Sequence, residues 1–297
     1  MCDNDAFDDM VKYGSNSGSL TRRQFGALGL GAGVVSLLPP AAEAAEVTGS
    51  DIDIKTPDGT CDAYFAHPAK GRHPGVLVWP DIFGLRPAFK QMGRRLAASG
   101  YAVLTINPFY RTKKAPTAPE HPDFNDPATR KSLVSLMSSL TAETTLTDAH
   151  AFVPWLDRQP AVDPHRKLAT TGYCMGGPFV FRTAAAFPTR IGAGATFHGA
   201  ALVTKNPDSP HLLIPQIKGP FLVAIAESDD KQQPEAKDVL GAAFSKAGIP
   251  AVVEVCVGTK HGWCPTDSRV YDHDQAEWAW SAGLALFKTA LAAPGPA

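Results

Sequence analysis

The stretch that decides the fold is Gly172-Tyr173-Cys174-Met175-Gly176-Gly177. Upstream, Lys167–Tyr173 is a short β-rich run. Downstream, Pro178–Phe187 carries a helical pattern. A small-x-nucleophile-x-small segment between a strand and a helix is the G-x-S-x-G elbow with Cys in place of Ser. Its glycines permit a tight turn that leaves the thiol exposed at the helix N-terminus. The helix dipole there favours negative charge, and the N–H of Met175 is positioned as an oxyanion donor.

Working outward, strands and helices alternate. Short apolar runs bounded by Gly and Pro read as strands at Ser50–Ile54, Cys61–Ala66, Gly75–Trp79, Tyr101–Ile106, Lys167–Tyr173, Gly192–Phe197, Pro220–Ala226 and Ala251–Val257. Helical periodicity marks Arg86–Ser99, Thr141–Arg158, Pro178–Phe187, Gln233–Ala247 and Ser268–Ala292. This order predicts an α/β fold with a mostly parallel central sheet of about eight strands and helices on both faces. The first two strands leave no room for a helix between them and are expected as an antiparallel edge pair. Arg111–Asp126 is rich in Pro and charge, and reads as a functional loop or lid at the carboxyl edge of the sheet.

A nucleophilic cysteine needs a base and a group to orient it. In an elbow fold these follow in the order nucleophile, acid, histidine. Ala224-Ile225-Ala226-Glu227-Ser228-Asp229-Asp230 ends an apolar run in carboxylates, and His261 lies in the loop after the last strand. Cys174, Asp229 and His261 are therefore the expected triad, with Asp230 the rival acid. His198 and Trp263 are candidate pocket residues; a structural hydrogen bond and plain packing are their alternatives.

The chain resembles the dienelactone hydrolase family, thiol hydrolases of the α/β-hydrolase fold. The likeness runs along residues 50–290. It rests on the elbow, on Asp81-Ile82-Phe83-Gly84-Leu85, on Asn107-Pro108-Phe109-Tyr110-Arg111, on the Glu227/Asp229 stretch and on His261-Gly262. The resemblance implies that Asp81 takes part in activating the thiol, that the Ile82 N–H is the second oxyanion donor, and that Arg111 binds a substrate carboxylate. Asp81 stands where the family has Glu, one methylene longer. Pro265 stands where the family has a second arginine, with Arg269 the nearest, so a second carboxylate clamp is expected to be missing. The expected activity is hydrolysis of a small ester or lactone, without cofactor or metal.

Composition bounds the rest. Lys+Arg 28 against Asp+Glu 29 gives net charge -1, without the basic surplus typical of nucleic-acid binders. Residues 1–44 read as a cleavable export signal, with 45–297 as one hydrolase domain. Arg22-Arg23 precede a 13-residue apolar run, Gly26–Leu38, too short to span a bilayer, and Ala42-Glu43-Ala44 follows as a small-x-small cleavage site. That order resembles a twin-arginine signal. It implies a periplasmic or extracellular protein with no lasting membrane anchor, as a monomer or small homo-oligomer. Two alternatives stand beside the hydrolase reading. One is a redox or transferase thiol with Cys256 and Cys264 as resolving partners; the other is a non-catalytic binding protein on the same fold.

Overall fold

The structure is a computed structural model that describes residues 46–120 and 122–292. The signal-type segment, with Arg22 and Arg23, lies outside the described residues.

Eight strands form one sheet in the order β1-β2-β4-β3-β5-β6-β7-β8. They are β1 (Val47–Thr56), β2 (Gly59–Pro68), β3 (Gly75–Trp79), β4 (Ala102–Ile106), β5 (Leu168–Tyr173), β6 (Ile191–Phe197), β7 (Phe221–Ala226) and β8 (Ala251–Cys256). The pairs β1–β2 and β2–β4 are antiparallel, and every later pair is parallel. Strands β3, β4, β5 and β6 are buried along their whole length. Both of their faces are covered, which is why they appear in the sequence as largely apolar runs without charge, broken only by buried Thr105, Thr170, Thr171 and Thr196.

The helices are α1 (Pro87–Ala98), α2 (Pro127–Met137), α3 (Ala142–Asp157), α4 (Gly177–Ala186), α5 (Glu227–Gln232), α6 (Ala236–Ala247) and α7 (His273–Ala290). On one face of the sheet, Phe152 and Leu156 of α3, Phe179 and Phe181 of α4 and Phe244 of α6 pack over Leu77, Leu104 and Val223. On the other, Phe89 and Leu96 of α1 and Leu286 and Phe287 of α7 cover Val76, Val78, Ala193 and Leu222. Alternate strand residues thus feed two separate cores.

Two helices have no counterpart in the sequence periodicity: α5, a six-residue turn directly after β7, and α2. Asp126 caps it by accepting from the Thr129 N–H at 2.7 Å, and Pro127 opens it. Helix α7 starts at His273, five residues after the expected Ser268. Asp272 caps it there by accepting from the Gln275 N–H at 3.1 Å, so the residues before it remain loop.

The elbow is tighter than its glycines alone suggest. Cys174 itself carries the positive φ, 51°. Gly172 and Gly176 are required for close approach. A Cβ on Gly172 would sit 2.4 Å from the Gly176 carbonyl oxygen, and one on Gly176 would sit 2.3 Å from the Trp79 oxygen. Backbone offers neither Cβ room to relax. Gly172→Ala is expected to cost about 1–3 kcal/mol through overpacking, read as a lower urea midpoint at unchanged m value.

Candidate active site

Four strand ends deliver the expected residues to one place. The turn after β5 holds Cys174. The short helix α5, directly after β7, holds Asp229. His261 follows β8, and Asp81 and Ile82 follow β3. This is the carboxyl edge of the parallel sheet, where open α/β folds bind ligands.

His261 Nδ1 lies 2.7 Å from Asp229 Oδ2, and Cys174 lies close enough to the same imidazole to favour its charged form. The His261 N–H donates to Ser228 Oγ at 2.9 Å, which holds its loop to α5. Asp230 is turned away and pairs with Lys237 Nζ at 2.6 Å. Of the two adjacent acids, the structure brings Asp229 to the histidine. Burial alone would disfavour a charged imidazole. The Asp229 hydrogen bond and the Cys174 sulfur outweigh it and push the His261 pKa up to about 10.

Cys174 and His261 open onto a cavity of about 290 Å³. Its walls come from Ile82, Phe83 and Arg86 after β3, from Pro122–Asn125 of the long loop, and from Asp267–Val270 after His261. The loop expected as a lid thus forms part of the wall. It is fastened to the β3 turn by Thr117, whose hydroxyl donates to the Phe83 carbonyl at 3.0 Å. A larger cavity of about 580 Å³ lies between α1 and α7. Tyr173 and Cys264 line it, but neither Cys174 nor His261 does.

His198 is at the cavity and fully buried, with its ring centroid 5.2 Å from that of His261. Neither ring nitrogen has a protein partner. Burial, followed by the charge on His261, holds its pKa well below the ordinary histidine value, so it is neutral at pH 7. Trp263 does not reach the cavity. It is wholly buried and packs against the far side of His198, centroids 5.1 Å apart.

Two residues differ from their expected roles. Arg111 is not in the cavity. Its guanidinium is held by Asp148 Oδ1 and Oδ2 at 2.8 and 2.9 Å, by Asp58 Oδ2 at 2.6 Å and by the Thr144 carbonyl at 3.1 Å. All three guanidinium nitrogens donate to these groups, and Asp148 is fully buried, so Arg111 ties the β1–β2 turn and α3 to the segment after β4 and is not presented to the cavity. Asp81 does line the cavity, but both of its oxygens are engaged by Arg86, at 2.6 and 3.0 Å, and Oδ1 also accepts from the Phe83 N–H at 2.9 Å. The carboxylate is thus committed to Arg86 and to its own turn.

Arg86 is a residue the motif analysis missed. It also grips Asp267, from Nε at 2.7 Å and from Nη2 at 2.9 Å, while its plane covers Phe83 and Phe89. The β3 turn and the loop after His261 are therefore tied through one buried guanidinium. The available signal was a lone charge in the otherwise apolar run Ile82-Phe83-Gly84-Leu85-Arg86-Pro87. Arg269, read only as the nearest arginine to a lost clamp, does line the cavity, where Asp123 pairs with it at 2.9 Å.

A strand-to-helix elbow on this sheet, followed in chain order by an acid and a histidine at later strand ends, defines an α/β-hydrolase fold. Within that class the chain belongs to the dienelactone hydrolase family, whose model matches residues 61–291. A Synechocystis protein provisionally named carboxymethylenebutenolidase is 28% identical over 236 residues, which covers 77% of this chain and 91% of that one. An Escherichia coli protein with the same provisional name is 26% identical over 235 residues, with 76% and 81% covered. A crystal structure from Klebsiella pneumoniae, provisionally described as a dienelactone hydrolase, superimposes with a TM-score of 0.70 at 23% identity. It covers 82% of this chain and 98% of that one.

If Asp229 holds the charge on His261, Asp229→Asn should bring the imidazole titration down from about 10 by more than one pH unit. Side-chain NMR of His261 across the pH range checks this; an unmoved titration would remove Asp229 from that role.

Proposed function

We propose that this hydrolase-family chain is a thiol-dependent hydrolase of small esters or lactones, with Cys174 as nucleophile, His261 as general base and acid, and Asp229 as its orienter. The observation that carries the reading is that Asp229 holds Nδ1 of His261 at 2.7 Å while His261 and Cys174 line the same cavity and interact there. Nucleophile and base in hydrogen-bond reach, with the base held by a third group, is the arrangement covalent catalysis needs. The names given to the relatives point in the same direction, toward a lactone.

In this mechanism the Cys174 sulfur attacks the ester carbonyl carbon, and its proton resides on His261. The carbonyl electrons move to oxygen, where the N–H groups of Met175 and Ile82 would hold the oxyanion. The intermediate collapses, the C–O bond breaks, and the leaving alkoxide takes the proton from His261. Water then attacks the thioester, giving its proton to His261, and the acid departs as the sulfur is released. For a lactone, leaving group and acid are one ring-opened product. His198 would serve as a neutral wall of the substrate site. Asp81 acts through Arg86 and the Ile82 turn.

The redox alternative receives less support. Cys256 and Cys264 are buried, and neither lines the cavity that holds Cys174. Burial raises the Cys264 pKa well above the ordinary thiol value, which makes it a poor resolving nucleophile.

Cys174→Ala should lower hydrolysis of p-nitrophenyl acetate by at least ~10³-fold while leaving the unfolding free energy from urea titration within about 1 kcal/mol of the parent. Retained Cys174-independent turnover would end the nucleophile assignment. We further propose that residues 1–44 direct export by a twin-arginine-type route. Replacing Arg22-Arg23 with Lys-Lys should retain the full-length chain inside the cell in a fractionation assay; undiminished export would refute it.

A further inference from the structure

The charges around the cavity sum to a negative value among the described residues. Arg86 and Arg269 are its two cations, facing three carboxylates, Asp81, Asp123 and Asp267. Arg86 spends its donors on Asp81 and Asp267 and is 8% exposed. Arg269 is paired with Asp123. With one proton shared between thiol and imidazole, the Cys174–His261 pair is neutral overall, and Asp229 behind it does not line the cavity. The neighbouring His198 adds no charge, since it is buried and neutral. Lys113, whose ammonium donates to the Thr117 carbonyl at 3.2 Å, and Lys260 do not line the cavity. The cation that the family resemblance assigns to a substrate carboxylate, Arg111, is consumed by Asp58 and Asp148. The rest of the lining is mainly apolar, from Ile82, Phe83, Phe124 and Val270, with Asn125, Ser268 and the unpartnered nitrogens of neutral His198 as its uncharged polar groups.

We propose that this cavity selects uncharged esters or lactones and turns away substrates that carry a carboxylate. The inference rests on the reading of Cys174 as the nucleophile of a hydrolase. An anion entering a cleft of like sign, with each of its arginines already paired to a carboxylate, is opposed by the local field. An uncharged acyl group loses nothing of the kind and gains from the apolar wall. Arg269 is the side chain placed to reverse this. It is more exposed than Arg86, and its cavity partner is one aspartate on the long loop.

Two measurements test the selection separately from the hydrolase reading. The first is alkylation of the Cys174 peptide, followed by mass spectrometry, with uncharged iodoacetamide and anionic iodoacetate. The rate ratio of the two at Cys174 should exceed that at N-acetylcysteine at the same pH by at least about tenfold. It should fall in about 0.5 M salt, and it should fall in Asp123→Asn, which frees Arg269. A ratio at or below that of N-acetylcysteine would overturn the proposal. The second is kcat/KM for a carboxylate-bearing lactone against its methyl ester. The ester should be favoured by at least about tenfold, and equal or reversed values would also overturn the proposal. Equal turnover of both lactones would leave the hydrolase reading standing. Absence of any turnover, with the alkylation preference intact, would refute that reading and uphold the charge selection.

Discussion

The site depends on how closely the elbow approaches the end of β3. Gly176 lies so near the Trp79 and Pro80 carbonyls that a single methyl would collide with both, at 2.3 and 2.8 Å. That contact sets Cys174 beside the turn that carries Ile82, and so fixes the distance between the thiol and the proposed second oxyanion donor. The Ala200 N–H donates to the Cys174 carbonyl at 3.0 Å, which fastens the same turn to the loop after β6. Cys174 has little freedom to leave its positive φ. Strain of that kind persists where the surroundings over-determine the backbone, and here three strand ends do so.

Charge pairing arranges what the backbone leaves open. The Asp81–Arg86–Asp267 group joins the oxyanion side of the cavity to the loop that follows His261. Arg86 and Asp267 are separated by 181 residues and meet at 2.7 Å. A guanidinium this buried stabilises only with all its partners present, and removal of one leaves an uncompensated charge. Arg111 is the contrasting case. A residue with a guanidinium fork suited to a carboxylate ligand has found two carboxylates of its own chain, and has become part of the framework.

Much of this architecture is visible in the sequence because its causes are local. The interior strands are buried on both faces and so appear as apolar runs. The elbow is a short motif, and the acid and histidine follow known strand ends. The choice of Asp229 over Asp230 was not legible, because it depends on which of two adjacent side chains a six-residue helix turns toward His261. The fate of Arg111 was not legible either. Asp58 and Asp148 lie 53 and 37 residues away, and no local pattern reports such pairings. Trp263 stands next but one to His261, yet its side chain enters the opposite core. Helix α2 was legible in principle: Asp126-Pro127 is a cap followed by proline at the first helical position.

The strand order has a kinetic consequence. The groups around the cavity come from positions 81 to 269 and meet only when β3, β5, β6, β7 and β8 have all paired. Parallel pairings of this sequence separation form late, after the loop-closure cost has been met. An incompletely folded chain therefore holds Cys174 apart from His261. Their meeting is a property of the finished sheet, and marks the last step of folding.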